Sequence, residues 1–321
     1  MKATRIMALA ASLATLTAAP AVADTKLTLM VFQGMQNLPL LAARSTGAFT
    51  KRGLDVDIRI APNSKELRDG LAEGRYQIVH TAVDNGVAMK DVAKIDVVAV
   101  IGGDDSFNHF YVQPDIARIP DLKGKTVLVD ALDTAYAFQV YEVLKRNGLA
   151  KGDYTPKPVG ATFKRLEAME ANKDDKASTL NPPFSLRADK AGLKDMGAIT
   201  GMIGPYQATA GMVLRSWAEA NRETLTLYLQ AYIEGLRWSL DPRNKEEATL
   251  LLAEGLKLPP DVAARTYALA TDPKSGLTKD AAFDMEGFRN VLKLRTDWTG
   301  QPTAAPETYL DLSYYQKALG Q

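Results

Sequence analysis

Short aliphatic runs alternate with amphipathic stretches along most of this 321-residue chain, and partway along the alternation starts afresh. Leu27–Val31, Val56–Ile60, Gln77–His80 and Val97–Ile101 read as strands. Between them the spacing predicts helices over Asn37–Phe49, over Lys65–Ala72 with Ser64 as N-cap and Gly74 as terminator, and over Asn85–Asp91. Strands alternating with helices in this way form a parallel sheet covered on both faces. The second round predicts strands at Thr126–Val129, Thr155–Val159 and Ala177–Leu180, with helices at Ala135–Asn147, Phe163–Ala171 and Pro183–Ala191. Two passages follow one plan of strand, hydroxyl cap, helix, strand and polar tip. One runs from Val56 through Ser64 to His80 and Asp84, the other from Pro156 through Thr162 to Leu180 and Asn181. An extended segment, Ala208–Leu214, then leads into a helical tail at Ser216–Ser239, Lys245–Gly255, Pro260–Ala270 and Asp284–Thr296; Asp241-Pro242 stops the first of these.

The first 23 residues read as a cleavable export signal. Lys2 and Arg5 form a basic start, Ile6–Ala19 is apolar and small, and Ala21-Val22-Ala23 presents a small-x-small cleavage site before Asp24. The apolar stretch is shorter than the ~20 residues a membrane span needs, so a protein that is not membrane-embedded is expected. Removing Lys2 and Arg5 takes the formal charge from +1 to −1, which leaves no basic excess for a nucleic-acid partner. The chain has no cysteine, so neither disulfides nor a lipid on an N-terminal cysteine are available to it. A periplasmic location fits, and a monomer is expected. The 298 residues left after cleavage can supply two cores.

The run Leu122-Lys123-Gly124-Lys125-Thr126-Val127-Leu128-Val129-Asp130, its continuation to Tyr136, and Leu180-Asn181-Pro182-Pro183-Phe184 resemble segments of type II periplasmic solute-binding proteins. The resemblance is nearest to the nitrate/sulfonate/taurine and thiamine-precursor (NMT1/THI5-like) group of ABC importer receptors. Leu38–Ala43 through Gly53-Leu54-Asp55-Val56 is similar to that group's opening motif. Leu71–Ile78 is similar to a further strand motif, with Gln77 where aspartate is common, and Gly276–Arg295 with Asp311–Tyr315 also resembles the group. The resemblance implies a two-lobed α/β fold of mixed, mostly parallel sheets, with two hinge crossings near Phe107–Gln113 and Gln207–Val213 and a helical C-terminal tail. Its implied division is 24–110 for the first part of lobe one, 111–206 for lobe two, and 207–321 for the return and the tail. It also implies capture of a small organic solute for an ABC permease with a cytoplasmic ATPase; a periplasmic sensing adaptor is the alternative on the same fold.

In such proteins the ligand meets loops at the C-terminal ends of the strands. Mapped onto this chain, those loops offer Gln33, Asn37, Asp84, Asn85, His109, Thr134, Ala135, Tyr136, Asn181 and Phe184 as ligand contacts. None is lysine or arginine. An anionic group would then rest on backbone N–H donors where helices begin at Asn37, Asn85 and Ala135. An amine-bearing or heteroaromatic ligand would instead take Asp84 as countercharge, with Tyr136 or Phe184 stacking on a ring. Each residue also has a structural reading: Asn37, Asp84 and Thr134 as helix caps, Tyr136 and Phe184 as core, and His80 and His109 as satisfied histidines. With two histidines, no zinc-ligand spacing, no P-loop and no Gly-x-Ser-x-Gly, the chain is expected to be neither an enzyme nor a holder of metal or cofactor. Enzymes do occur on related folds, notably the fungal thiamine-pyrimidine synthase, but its cysteine-rich motif is missing here.

Overall fold

Among the described residues, ten strands sort into two sheets of five. The computed structural model describes residues 25–320, so the export signal read at 1–23 lies outside the described residues. β1 (Thr25–Val31), β2 (Leu54–Ile60), β3 (Ile78–Ala82) and β4 (Val97–Asp104) belong to the first sheet. β5 (His109–Val112), β6 (Thr126–Val129), β7 (Thr155–Pro158), β8 (Asp175–Leu180) and β9 (Lys194–Ala198) form the second, and β10 (Thr209–Leu214) returns to the first. The orders are β2-β1-β3-β10-β4 and β7-β6-β8-β5-β9. β1 lies parallel to β2 and β3, and β6 parallel to β7 and β8. The crossing strands β5 and β10 run antiparallel to both their neighbours. They enter at the end where the parallel strands stop, and so must run against them.

Sequence chemistry explains the placement. β3, in the middle of its sheet, and β4, at the edge but bridged at Ala99 to Leu310, are buried along their whole length and read as nearly continuous apolar runs. The edge strand β7 carries Pro156 and Pro158, which a central position would not tolerate. β9, with the sequence Lys-Asp-Met-Gly-Ala, has no apolar alternation to announce it, and β5 is only four residues long. Neither was expected from the sequence.

The helices are α1 (Leu38–Ser45), α2 (Ser64–Ala72), α3 (Asp84–Asp91), α4 (Ala135–Arg146), α5 (Thr162–Ala171), α6 (Phe184–Lys190) and α7 (Ile199–Ile203). The tail adds α8 (Arg215–Ala220), α9 (Arg222–Leu240), α10 (Lys245–Leu256), α11 (Pro260–Ala270), α12 (Met285–Thr299) and α13 (Ser313–Leu319). The expected helix over Ser216–Ser239 is two helices. Asn221, at φ −128°, breaks it, and its side-chain amide donates back to the Trp217 carbonyl at 2.9 Å. Ser64 does not cap α2; Asn63 does, its Oδ1 accepting from the Glu66 N–H at 2.9 Å. The Ser64 hydroxyl is thereby left for other work. α9 and α1 meet backbone to backbone at Gly235, where a Cβ would stand 2.3 Å from the Pro39 carbonyl. Together with α10 and α13 they close a core on Leu27, Leu29, Leu40, Tyr228 and Leu252.

The chain crosses between sheets at 105–108 and again at 204–208, a few residues ahead of the expected positions, because Phe110–Val112 already pair in the second sheet. Asp104 ties the crossings together. Its backbone carbonyl accepts from the Ala208 N–H at 2.9 Å, and its Oδ1 accepts from the Ser106 N–H at 3.0 Å. Oδ2 has no partner among the described residues. Burial pushes this carboxyl up to about 6, against the pull of the nearby Thr209 hydroxyl and the Ser106 N–H. The folded state therefore holds the proton longer than the unfolded chain does. The resulting penalty is absent below about pH 4 and fully developed above about pH 6. Asp104→Asn should stabilise the fold by an increment that grows from near zero at pH 4 to roughly 3 kcal/mol at pH 7. Urea unfolding at both pH values measures it; an increment independent of pH would contradict the assignment.

Candidate functional site

The C-terminal ends of the two sets of parallel strands face each other, and a pocket lies between them. It encloses about 540 Å³ of atom-free space, part of it open to solvent. From the first sheet's side come Gln33 and Gln36 after β1, Ser64 at the start of α2, and Thr81 and Asn85 around the end of β3. From the second come Asp130, Thr134, Ala135 and Tyr136 between β6 and α4, Thr162, Phe163 and Arg165 on the first turn of α5, and Asn181 and Phe184 after β8. Seven of the ten residues expected as ligand contacts therefore line one pocket: Gln33, Asn85, Thr134, Ala135, Tyr136, Asn181 and Phe184.

The other three do not. Asn37 donates its side-chain amide to the Phe32 carbonyl at 2.7 Å and so fixes the loop after β1. His109 pairs with Asp195 at 2.7 Å and lines a separate groove with Tyr111, Asp189 and Arg265. Asp84 is buried against Arg295, whose Nη1 stands 3.0 and 2.9 Å from its two carboxylate oxygens. A carboxylate held by a buried arginine has no charge to offer a ligand. The Arg295 guanidinium also lies 5.7 Å from the centre of the Phe138 ring on α4, so the pair joins α3, α4 and α12 into one unit. Asp84→Asn should strip Arg295 of its counterion and cost about 3 kcal/mol or more of stability. Ligand affinity should stay within about twofold of the parent. Denaturant melts and titration calorimetry separate the two effects, and a tenfold loss of affinity without loss of stability would restore Asp84 to the site.

One residue that sequence reasoning missed is Arg165. Its side chain is 1% exposed, yet among the described residues no carboxylate lies within 4.0 Å of its guanidinium. Four neutral acceptors hold it: Ser178 Oγ takes Nε–H at 3.0 Å, the Gly160 carbonyl takes Nη1 at 2.7 Å, and Thr162 Oγ1 and the Thr179 carbonyl take Nη2 at 3.2 and 2.9 Å. One Nη1 hydrogen remains unspent, and the residue lines the pocket. Burial lowers its pKa, while Asp130 and Tyr136 oppose the shift; an arginine remains cationic under such a change. A basic residue thus does reach the cleft, although none of the expected contacts is lysine or arginine. The sequence did carry a signal. Thr162 and Arg165 are spaced i, i+3, so a helix that turns its first hydroxyl to the cleft turns this arginine there too.

The rest of the lining complements that charge. Neither α4 nor α5 has a side-chain cap on its N-terminus. Thr134 occupies the cap position of α4, but its hydroxyl donates to Asp130 Oδ1. The first N–H groups of both helices are therefore free to meet an anion. Thr81 Oγ1 accepts from Asn85 Nδ2 at 2.9 Å. The buried Asn181 Oδ1 and Gln36 Oε1 have no partner among the described residues. Tyr136, Phe163 and Phe184 are half-buried and supply apolar walls, the last two with ring centres 6.4 Å apart. Asp130 is the one carboxylate of the lining; burial raises its pKa, with Arg165 and the Thr134 hydroxyl pulling the other way.

Residues 35–244 match the family described as NMT1/THI5 like. No curated protein matches the chain. Among solved structures, the nitrate-binding protein NrtA from Synechocystis PCC 6803 superposes with a TM-score of 0.74 at 14% identity, over 92% of this chain and 89% of that one. The aliphatic sulphonate binding protein SsuA from Escherichia coli superposes at 0.71 with 16% identity, over 92% and 99%. The desulfurization enzyme DSZB gives 0.63 at 14% identity, over 91% and 99%. At these identities the likeness is one of fold.

Proposed function

Because the chain belongs to the NMT1/THI5-like family, we propose that it is the solute-binding component of an ABC importer. On this reading it is a periplasmic monomer, exported through residues 1–23, that takes a small acid-bearing organic solute into its cleft. It then presents the solute to a membrane permease driven by a cytoplasmic ATPase. The structural neighbours named for binding nitrate and sulphonate support that role. The observation that carries the ligand's chemistry is Arg165, a buried cation with an unspent donor and no carboxylate in contact, set beside two uncapped helix N-termini.

The mechanism is closure. One lobe rests on each sheet, and the crossings at 105–108 and 204–208 act as the hinge. The acid group meets Arg165 and the first turns of α4 and α5, while its organic part lies against Tyr136, Phe163 and Phe184. Thr81, Asn85 and Gln36 complete the enclosure from the other lobe only when the cleft is shut. That difference in contacts shifts the hinge equilibrium toward the closed form. The pocket lining holds hydroxyls, amides, one carboxylate and one guanidinium, but no histidine or cysteine to form a nucleophile–base pair. This favours binding over the enzymatic role carried by the DSZB fold neighbour.

A thermal-melt screen of refolded, ligand-free protein tests the reading. A carboxylate or sulfonate at a hundred times its dissociation constant should add about 2.7 kcal/mol, and the compound should be recovered unchanged. A stabilisation confined to amines lacking an acid group would remove Arg165 from its role. Conversion of the bound compound would make the protein an enzyme.

A further inference from the structure

A second chamber adjoins the pocket. It is lined by Phe32, Lys65, Arg68, Asp130, Ala131 and Gly160, among others, and shares Phe32, Ser64, Asp130 and Ala161 with the first. Arg68 lies on α2, one turn beyond Ser64. Its guanidinium has a single weak side-chain contact, Nη1 to Asn85 Oδ1 at 3.4 Å. Among the described residues no carboxylate lies within 4.0 Å of it. Lys65, by contrast, spends its ammonium on Asp69 at the solvent side.

The repeated strand–helix–strand plan gives this arrangement its logic. β2-α2-β3 and β7-α5-β8 occupy equivalent places in the two sheets, with the edge strand first and the third strand of the row last. Each helix opens on a buried hydroxyl, Ser64 at 8% and Thr162 at 9% exposure. Each then brings an arginine to the cleft one turn later, Arg68 from one side and Arg165 from the other. Asp130 lines both chambers and pairs closely with neither arginine. Read from the first chamber to the second, the site is positive, negative, positive.

Building on the reading of an acid-bearing solute above, we infer that the ligand is an amino dianion. This is a small molecule with two acid groups and an ammonium between them, the chemistry of an acidic amino acid or its sulfonic analogue. One acid group meets Arg165 in the first chamber, the ammonium meets Asp130 at the shared wall, and the second acid group meets Arg68. A mono-acid zwitterion satisfies only the first two and leaves Arg68 without a counterion. A dianion lacking the amine leaves Asp130 facing negative charge.

Titration calorimetry with L-glutamate, L-aspartate and L-cysteate as amino dianions tests this, set against L-alanine and taurine as mono-acid zwitterions and succinate as the amine-free dianion. At least one amino dianion should bind tenfold or more tightly than every mono-acid zwitterion and succinate. In Arg68→Met the ratio of amino-dianion to mono-acid affinity should fall to about one, with Arg68→Lys intermediate. Arg68 is half-buried with one weak contact, so the variant should fold, and its unchanged melting temperature without ligand verifies that. Mono-acid zwitterions binding as tightly as the amino dianions, or a ratio unaffected by Arg68→Met, would overturn the inference and leave the importer reading standing. Failure of every acid in the panel to bind would overturn the inference, and failure of the wider carboxylate and sulfonate screen would overturn the reading of an acid-bearing solute as well.

Discussion

A buried guanidinium held only by neutral oxygens is the constraint on which the rest of this site depends. Moving a charge out of water costs far more than one hydrogen bond returns. Arg165 is tolerable because a serine, a threonine and two main-chain carbonyls each accept from it, at about 1.5–3 kcal/mol apiece for bonds to a charged group. Those acceptors come from β8, from the start of α5 and from the turn before it. The loop ahead of α5, the first turn of that helix and the neighbouring strand are thus locked in one arrangement by the same side chain that faces the ligand. What those bonds leave unmet is a counterion, and the pocket is where one can arrive.

The opposite arrangement holds between α3 and α12. There Asp84 and Arg295 neutralise each other in direct contact, with the Phe138 ring beside the guanidinium. A satisfied pair holds α3, α4 and α12 together and asks nothing of solvent or ligand. Among the described residues two arginines are therefore buried with different fates, decided by whether a carboxylate lies within contact range. Asp104 adds a third case, a buried carboxyl with an orphaned oxygen at the point where the two crossings meet.

Much of this architecture was legible in the sequence because the parallel strands are short, apolar and regularly spaced. β1, β3 and β6 and the helices that follow them lie where periodicity put them, and the polar tips at Asn85, Thr134, Tyr136 and Asn181 do face the cleft. The features that escaped have physical reasons. β9 lacks apolar alternation, and Asn221 breaks a helix by a side-chain bond that hydrophobic spacing cannot register. Asp84 looked like a countercharge because its partner, Arg295, lies 211 residues away in sequence. Arg165 and Arg68 were overlooked because the strand tips alone were expected to meet the ligand, although the first turn of each following helix faces the same space.

The central claim is that the ligand's acid group completes Arg165. The structure of the complex with the tightest-binding acid tests it most directly. The account predicts an acid oxygen within about 3.2 Å of Arg165 Nη1, with a second donor from the first turn of α4 or α5. An acid group bound elsewhere in the cleft, or an ammonium facing Arg165 in its place, would contradict the account.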